Sequence, residues 1–125
     1  MQKTKEEIKQ YIQQQFGYDL NKDLRECRAK YTFDSICQGS VPIAIMAFLQ
    51  AESPEKQLRL AISMGGNSDT IAAITCSIAT AQFISNSNDQ FANEVVNKCR
   101  SLLKPDLLDI NDRFIEFIVS RQSIK

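Results

Sequence analysis

Apolar residues recur at helical intervals along most of the chain, and strand-like alternation is nearly absent. Thr4 and Glu7 form the sequence pattern of a capping box, an amphipathic helix follows them, and Gly17 is a suitable end for that helix. A weaker pattern predicts a short second helix within residues 21–30, and residues 32–39 are predicted to form a loop. The first third of the chain therefore favours an all-α fold.

The next two predicted helices each begin with a capping serine and a nearby proline. Ser40 is predicted to cap the first of them, with Pro42 in the first turn, where a missing amide hydrogen costs little. Ser53 followed by Pro54 repeats this signal, and the second helix is predicted to end at Gly65. The first of these helices is apolar enough to be largely buried.

The following helix, from Ser68 or Asp69 to about Phe83, is apolar almost all round and rich in small residues. These properties are typical of a helix at the centre of a bundle. A polar loop is predicted at residues 84–89, and Pro105 is predicted to open the last helix. The residues of that last helix that are predicted to face inward are Leu107, Ile110, Phe114 and Phe117.

The composition fits one helical domain, predicted to span residues 1–125 with six or seven helices. Fifteen basic residues balance fifteen acidic ones, a balance that indicates neither a nucleic-acid partner nor an anionic membrane. No apolar run has the length of a transmembrane helix, and the start of the chain lacks the apolar segment of a signal peptide.

Cysteine and histidine usage limits the possible chemistry. The four cysteines form no CxxC pair, and we interpret them as reduced thiols of a cytoplasmic protein, with Cys76 and Cys99 as small core residues. The chain has no histidine, which excludes mechanisms that need imidazole and the usual zinc and iron sites. Any catalysis must therefore use carboxylates, hydroxyls, amides and a hard metal ion.

The most informative segment is the polar turn from Gly65 to Thr70. Its glycines permit a tight bend, after which Asn67 and Asp69 can point to the same side and the Thr70 hydroxyl can join them. Hard oxygen ligands at this spacing suit Mg²⁺ or Ca²⁺. A plain helix–turn–helix joint, with Ser68 or Asp69 as the N-cap of the second helix, fits the same residues, and the local chemistry leaves both interpretations open.

With its flanks, this turn resembles the C-terminal signature of the ADP-ribosylglycohydrolase family. The resemblance covers nearly the whole chain and is carried by Arg59–Ile74, Cys37–Pro42, Thr4–Ile8 and Phe16–Leu20. It implies an orthogonal helical bundle similar to the C-terminal half of that fold, with a site for two Mg²⁺ ions. The implied activity is hydrolysis of the glycosidic bond between ADP-ribose and a protein side chain or related conjugate.

The resemblance also implies roles for individual residues. Asp69 and Thr70 match metal ligands of the family, and Asn67 occupies the place of an aspartate. Other positions are weaker candidates for contact with an ADP-ribose-type ligand. They are Gly65, Gly66, Ser68, Gln38, Gly39 and Ser40.

Two departures from the family pattern affect the expected activity. Asn67 is neutral, and one lost negative charge predicts weaker Mg²⁺ binding, because paired dications need carboxylates to offset their repulsion. Family members are also about twice as long, and no acidic cluster precedes Gly65, where Asp19, Asp23 and Asp34 are interpreted as solvated surface charges.

We therefore expect an incomplete site on a truncated, C-terminal half of the fold, with exposed apolar surface that favours a homo-oligomer or a separate N-terminal half as partner. Three functions remain open: part of a Mg²⁺-dependent hydrolase, an inactive helical remnant or oligomerisation module, and a subunit that needs its N-terminal half.

Overall fold

The computed structural model describes residues 3–83 and 90–122, and these residues form seven helices and no strand. The helices are α1 (Lys5–Phe16), α2 (Leu24–Arg28), α3 (Cys37–Gln50), α4 (Pro54–Ser63), α5 (Ser68–Phe83), α6 (Gln90–Leu102) and α7 (Pro105–Gln122). The all-α prediction is confirmed, while the loop predicted at residues 84–89 lies outside the described residues. The chain divides into two compact units, Met1–Asp89 and Gln90–Lys125.

The predicted limits of α1 agree with the structure. The Thr4 hydroxyl oxygen accepts a hydrogen bond from the Glu7 amide at 3.2 Å, and the Thr4 amide donates to the Glu7 carboxylate at 2.7 Å. This capping box lowers the pKa of Glu7, chiefly because the Thr4 backbone N–H stabilises the charged carboxylate. Gly17 ends the helix in the left-handed conformation, with φ of 69°.

Helix α3 begins earlier than predicted, because Ser40 is not its N-cap. The amides of Gly39 and Ser40 donate to the Ile36 carbonyl at 3.2 and 3.0 Å, so the helical bonding already begins there. Ile36 occupies the N-cap position without a side-chain cap, and Pro42 consequently lies in the second turn. The prediction of a loop through residue 39 is therefore wrong by three residues, and Ser40 is buried within the helix.

The core of the first unit forms where α3, α4 and α5 pack on one another, and α1 and α2 also contact α3. Every residue from Ile43 to Phe48 is buried. Thr75 lies fully buried on α5, and its hydroxyl contacts the Ala44 carbonyl of α3 at 3.1 Å and the Ile71 carbonyl of α5 at 2.8 Å. The small side chains of α5 therefore permit the close helix approach that the sequence pattern predicts.

Two polar side chains, one from α1 and one from α4, form hydrogen bonds at the C-terminal end of α3. The Lys5 ammonium donates to the carbonyls of Phe48 and Ala51, each at 2.6 Å. The amide nitrogen of Gln57, a fully buried residue, donates to the same two carbonyls at 3.3 and 2.9 Å. Both side chains thus satisfy carbonyls that the helix terminus leaves without intrahelical partners. Partial burial lowers the pKa of Lys5.

The second unit contains α6 and α7, whose apolar residues are largely exposed. An ion pair between Arg100 of α6 and Asp112 of α7, at 2.7 Å, joins the two helices. The prediction that four residues of α7 face inward is wrong, since Leu107, Ile110, Phe114 and Phe117 are 49–62% exposed. Cys99, predicted to be a core residue, is exposed as well. A pair of helices can bury only one stripe of each, and these residues lie outside that stripe.

Among the described helices, none combines the length and the apolarity needed to cross a bilayer.

Candidate functional site

The turn between α4 and α5 reverses the chain through two consecutive left-handed glycines. Gly65 has φ of 71° and Gly66 has φ of 57°. A side chain at position 66 would also collide with its surroundings, because a Cβ there would lie 2.9 Å from Tyr31 Cε1 and 3.2 Å from Phe33 Cα. Glycine at this position therefore lets the turn lie directly against the segment between α2 and α3.

Oxygen atoms of Asn67 and Thr70 meet at the start of α5. The Thr70 hydroxyl donates to the side-chain carbonyl oxygen of Asn67 at 3.0 Å, and the backbone carbonyl of Asn67 accepts from the Ile71 amide at 3.1 Å. The Asp69 carboxylate accepts from the Thr70 amide at 2.7 Å. The structure thus brings two of the three predicted metal ligands into contact and places the third on the same helical turn, against the backbone.

The amide nitrogen of Asn67 connects this turn to α3. It donates to the Ser40 hydroxyl oxygen at 3.3 Å, and the Ser40 hydroxyl in turn donates to the backbone carbonyl of Asp34 at 2.9 Å. Asn67 therefore uses both ends of its amide, accepting from Thr70 and donating to Ser40. An aspartate carboxylate could accept but not donate, so this hydrogen-bond chain gives a structural reason for asparagine at position 67.

Asp34 belongs to this cluster, contrary to its interpretation as a solvated surface charge. Its carboxylate accepts from the Ile36 amide at 3.0 Å, and the residue is only partly exposed. The carboxylate occupies the space that a Cβ at Gly39 would need, so α3 can start beside it only with glycine there. An aspartate two residues before a helix-initiating amide is the signature of an Asx turn, and that signal could have identified Asp34.

The remaining candidates lie around the same turn with fewer contacts. Ser68 is partly exposed in the first turn of α5, and Gln38 is exposed in the first turn of α3. Tyr31, which packs beside Gly66, has a buried hydroxyl that makes no hydrogen bond within the described part of the chain. This unsatisfied hydroxyl is a polar group close to the turn that the sequence analysis did not identify.

These donors fit one hydrated Mg²⁺ ion better than two. Mg²⁺ commonly keeps several waters and binds through one or two carboxylates, and this turn offers the Asp69 carboxylate with the oxygens of Asn67 and Thr70. Residues 3–83 and 90–122 contain no group of three or more His, Cys, Asp or Glu side chains that could hold a metal ion. A second dication fits these residues poorly, because the cluster has only the carboxylates of Asp34 and Asp69, and each of them already accepts a hydrogen bond from a backbone amide.

A separate cleft of about 950 Å³ lies on the first unit, away from the polar turn. Its lining includes Lys9, Gln50 and Lys56, and it adjoins the C-terminal end of α3. Ser40 lies near the opposite end of that helix, about 15 Å away along the axis. The cleft and the polar turn are therefore separate features, and the volume of the cleft is not evidence for the chemistry of the turn.

A sequence profile of the family described as ADP-ribosylglycohydrolase matches residues 2–121 of the chain. No curated protein and no solved structure matches it. The profile match includes the whole of the polar turn, together with Asp34 and Ser40.

Proposed function

Because the chain belongs to the ADP-ribosylglycohydrolase family, we propose that its polar turn is part of a Mg²⁺-dependent hydrolytic site. The bond cleaved would be the glycosidic bond between ADP-ribose and a protein side chain or related conjugate. The observation that carries this proposal is the meeting of the Asn67 and Thr70 side-chain oxygens, 3.0 Å apart, on the same turn as the Asp69 carboxylate. Hard oxygen donors at one helix start are what a single Mg²⁺ ion requires from a protein.

The residues of the turn would have distinct roles. Asp69 would contribute the negative charge and Thr70 a hydroxyl ligand, while Asn67 would contribute a neutral carbonyl oxygen whose position is held by Ser40. When bound, Mg²⁺ would orient the substrate and polarise the bond to be broken. The open space beside Gly65, where a Cβ would meet nothing within 4 Å, would leave room for the ligand next to the backbone.

Turnover requires groups beyond this turn. Hydrolysis needs a general base and further carboxylates near the metal ion. The described residues contain no group of three or more His, Cys, Asp or Glu side chains that could hold such an ion. We therefore propose that this polypeptide alone binds an ADP-ribose-type ligand without turnover, and that a segment carrying the acidic cluster completes the site. None of the four cysteines forms a disulfide within the described residues, which supports a reducing compartment such as the cytoplasm.

A second candidate function is a helical binding or oligomerisation module without catalysis. The hydrogen bonds of Asn67 favour it, because its amide serves the fold through both of its ends. In this case the turn would be a structural joint between α4 and α5 and would bind no metal ion.

Mg²⁺ titration by calorimetry tests the metal site. We expect wild type to bind weakly, Asp69→Ala to lose binding, and Thr70→Val to bind at least threefold more weakly. Asn67→Asp should bind about tenfold more tightly through its added charge, although it loses the bond to Ser40. Equal affinities for wild type and Asp69→Ala would contradict the metal assignment, and Glu55→Ala, at the other end of α4, is the matched control for a lost carboxylate.

Hydrolysis of an ADP-ribosylated protein separates the two functions. The purified chain should release no ADP-ribose alone, and release should appear on mixing with the N-terminal half of a family member that carries the acidic cluster. Asp69→Ala should abolish the activity of the mixture. If the mixture releases no ADP-ribose although the chain binds ADP-ribose, the result would favour the binding or oligomerisation module.

A further inference from the structure

Four of the seven exposed large apolar residues of α7 form a regular stripe. Four side chains recur at intervals of three, four and three residues, which places them within an arc of about 80° on the helix surface. All four are between 49% and 62% exposed. We call this set the α7 stripe, and it consists of Leu107, Ile110, Phe114 and Phe117.

The stripe has the dimensions of a helix–helix seam. Its spacing is that of the apolar positions in a coiled coil, where each side chain packs between side chains of a facing helix. Contiguous exposed apolar surface of this kind marks an interaction site more often than scattered residues do. Because the intervals read the same in both directions, the stripe is complementary to an inverted copy of itself.

The charges of α7 also select an inverted copy. Asp106 and Asp109 lie in its first turns, whereas Arg121 lies in its last turn, with its guanidinium 4.5 Å above the Phe117 ring. In a parallel pair the acidic ends would lie side by side and repel. In an antiparallel pair Arg121 lies within one helical turn of Asp106 of the other copy, an attraction that Lys104, just before α7, partly offsets, and the two helix dipoles also oppose each other favourably.

We propose that the α7 stripe is a self-association surface, on which α7 of a second copy of this chain packs antiparallel about a two-fold axis. Ile110 then faces Phe114 of the other copy, and Leu107 faces Phe117. Arg113, near the axis, is already paired with Asp109 of its own helix at 3.6 Å, which reduces its repulsion from the same residue in the other copy. Such an interface is isologous, as in most protein dimers.

The area of the α7 stripe determines how strong the self-association is expected to be. Four half-exposed side chains offer on the order of 400 Å² per copy, about half of the ~800 Å² per partner in a standard stable interface. The dissociation constant should therefore be on the order of ten micromolar rather than nanomolar.

Sedimentation velocity on the full chain, from about 1 to 300 µM, tests the proposal directly. The mass should rise from 14.2 kDa toward about twice that value. Phe114→Glu should remain monomeric throughout, because it places a charge in the seam. Asn97→Glu adds the same charge to an exposed position of α6, outside the stripe, and should keep the wild-type behaviour, and circular dichroism checks that both variants stay helical.

A charge exchange tests the antiparallel orientation. Asp106→Arg and Arg121→Asp should each weaken association at least threefold, and the double variant should recover most of the wild-type affinity. In a parallel pair these positions lie about 22 Å apart, so no recovery would follow. A wild-type mass of 14.2 kDa at the highest concentration, a dimer of Phe114→Glu, or a double variant without recovery would overturn the proposal.

Discussion

The two units of this chain use apolar residues in opposite ways. In the first unit, α3 and α5 bury theirs completely at several positions, including Ala44, Ala47 and Ile71. In the second unit, α7 also carries large apolar side chains, yet Phe114 is 62% exposed. Three helices that contact one another can enclose a core, whereas a helical pair leaves most of each surface open. The difference shows that apolar content predicts a helix more securely than it predicts what covers the helix.

The same comparison separates two kinds of polar contact. In the first unit the Gln57 amide and the Lys5 ammonium satisfy buried carbonyls. In the second unit the side chains of the Arg100 and Asp112 pair are 36% and 45% exposed to solvent. Buried hydrogen bonds are costly to leave unmade, while exposed ion pairs contribute little. Perturbations of the first unit should therefore have the larger effects.

Truncation of isoleucine should show the largest contrast between the units. Ile71→Ala, at a fully buried position, should lower the free energy of unfolding by about 3 kcal/mol through lost burial and a cavity. Ile115→Ala, at a position 48% exposed in α7, should cost less than about 1 kcal/mol. Urea unfolding followed by circular dichroism, at low micromolar protein, measures both. Similar losses for the two variants would refute the contrast.

Glycine substitution should give an intermediate effect within the first unit. Gly66→Ala should cost about 2–3 kcal/mol, because it adds a collision with Tyr31 to the strain of a left-handed alanine. Gly65→Ala is the matched control, since its φ is similarly positive but its Cβ would meet nothing within 4 Å, and it should cost about 1 kcal/mol. Thermal unfolding of the two variants should rank them in this order. A less stable Gly65→Ala would show that the collision is relieved.

The smallest expected effect concerns the ion pair of the second unit. Hydrogen bonding from Arg100 lowers the pKa of Asp112 below its ordinary value. The folded state then holds fewer protons than the unfolded state, so the stabilisation is present above about pH 4 and is lost as the pH falls through the lowered pKa. Asp112→Asn should therefore be slightly less stable than wild type near pH 7 and indistinguishable near pH 2. A difference that persists in acid, or that high salt leaves unchanged, would argue against the pair as its origin.

Much of the helical framework could be predicted because its signals are local. The capping box of Thr4 and Glu7, the left-handed Gly17 and the Ser53–Pro54 start each act within one helical turn. The start of α3 could not be predicted, since it depends on Asp34 folding back over Gly39 rather than on a capping side chain. The exposure of α7 could not be predicted either, because periodicity defines a stripe without defining its partner.

The candidate site also combines features that the sequence predicts with features that only tertiary packing determines. The oxygen donors of Asn67, Asp69 and Thr70 are visible in the sequence, and the structure brings two of them together. The hydrogen bond from Asn67 to Ser40 could not be predicted from the sequence, because the two residues are 27 positions apart and the sequence predicts Ser40 to be a helix cap. Local patterns thus indicate which atoms are available, and tertiary packing decides which of them are already engaged.

The hydrogen-bond chain from Thr70 through Asn67 to Ser40 has a consequence for the order of events during folding. A loop built from several carboxylates needs a cation to overcome their mutual repulsion before it can close. This loop closes with neutral amide and hydroxyl groups, so its shape is established while the ion is still in solvent. A chelator such as EDTA should therefore remove any bound Mg²⁺ without melting the protein.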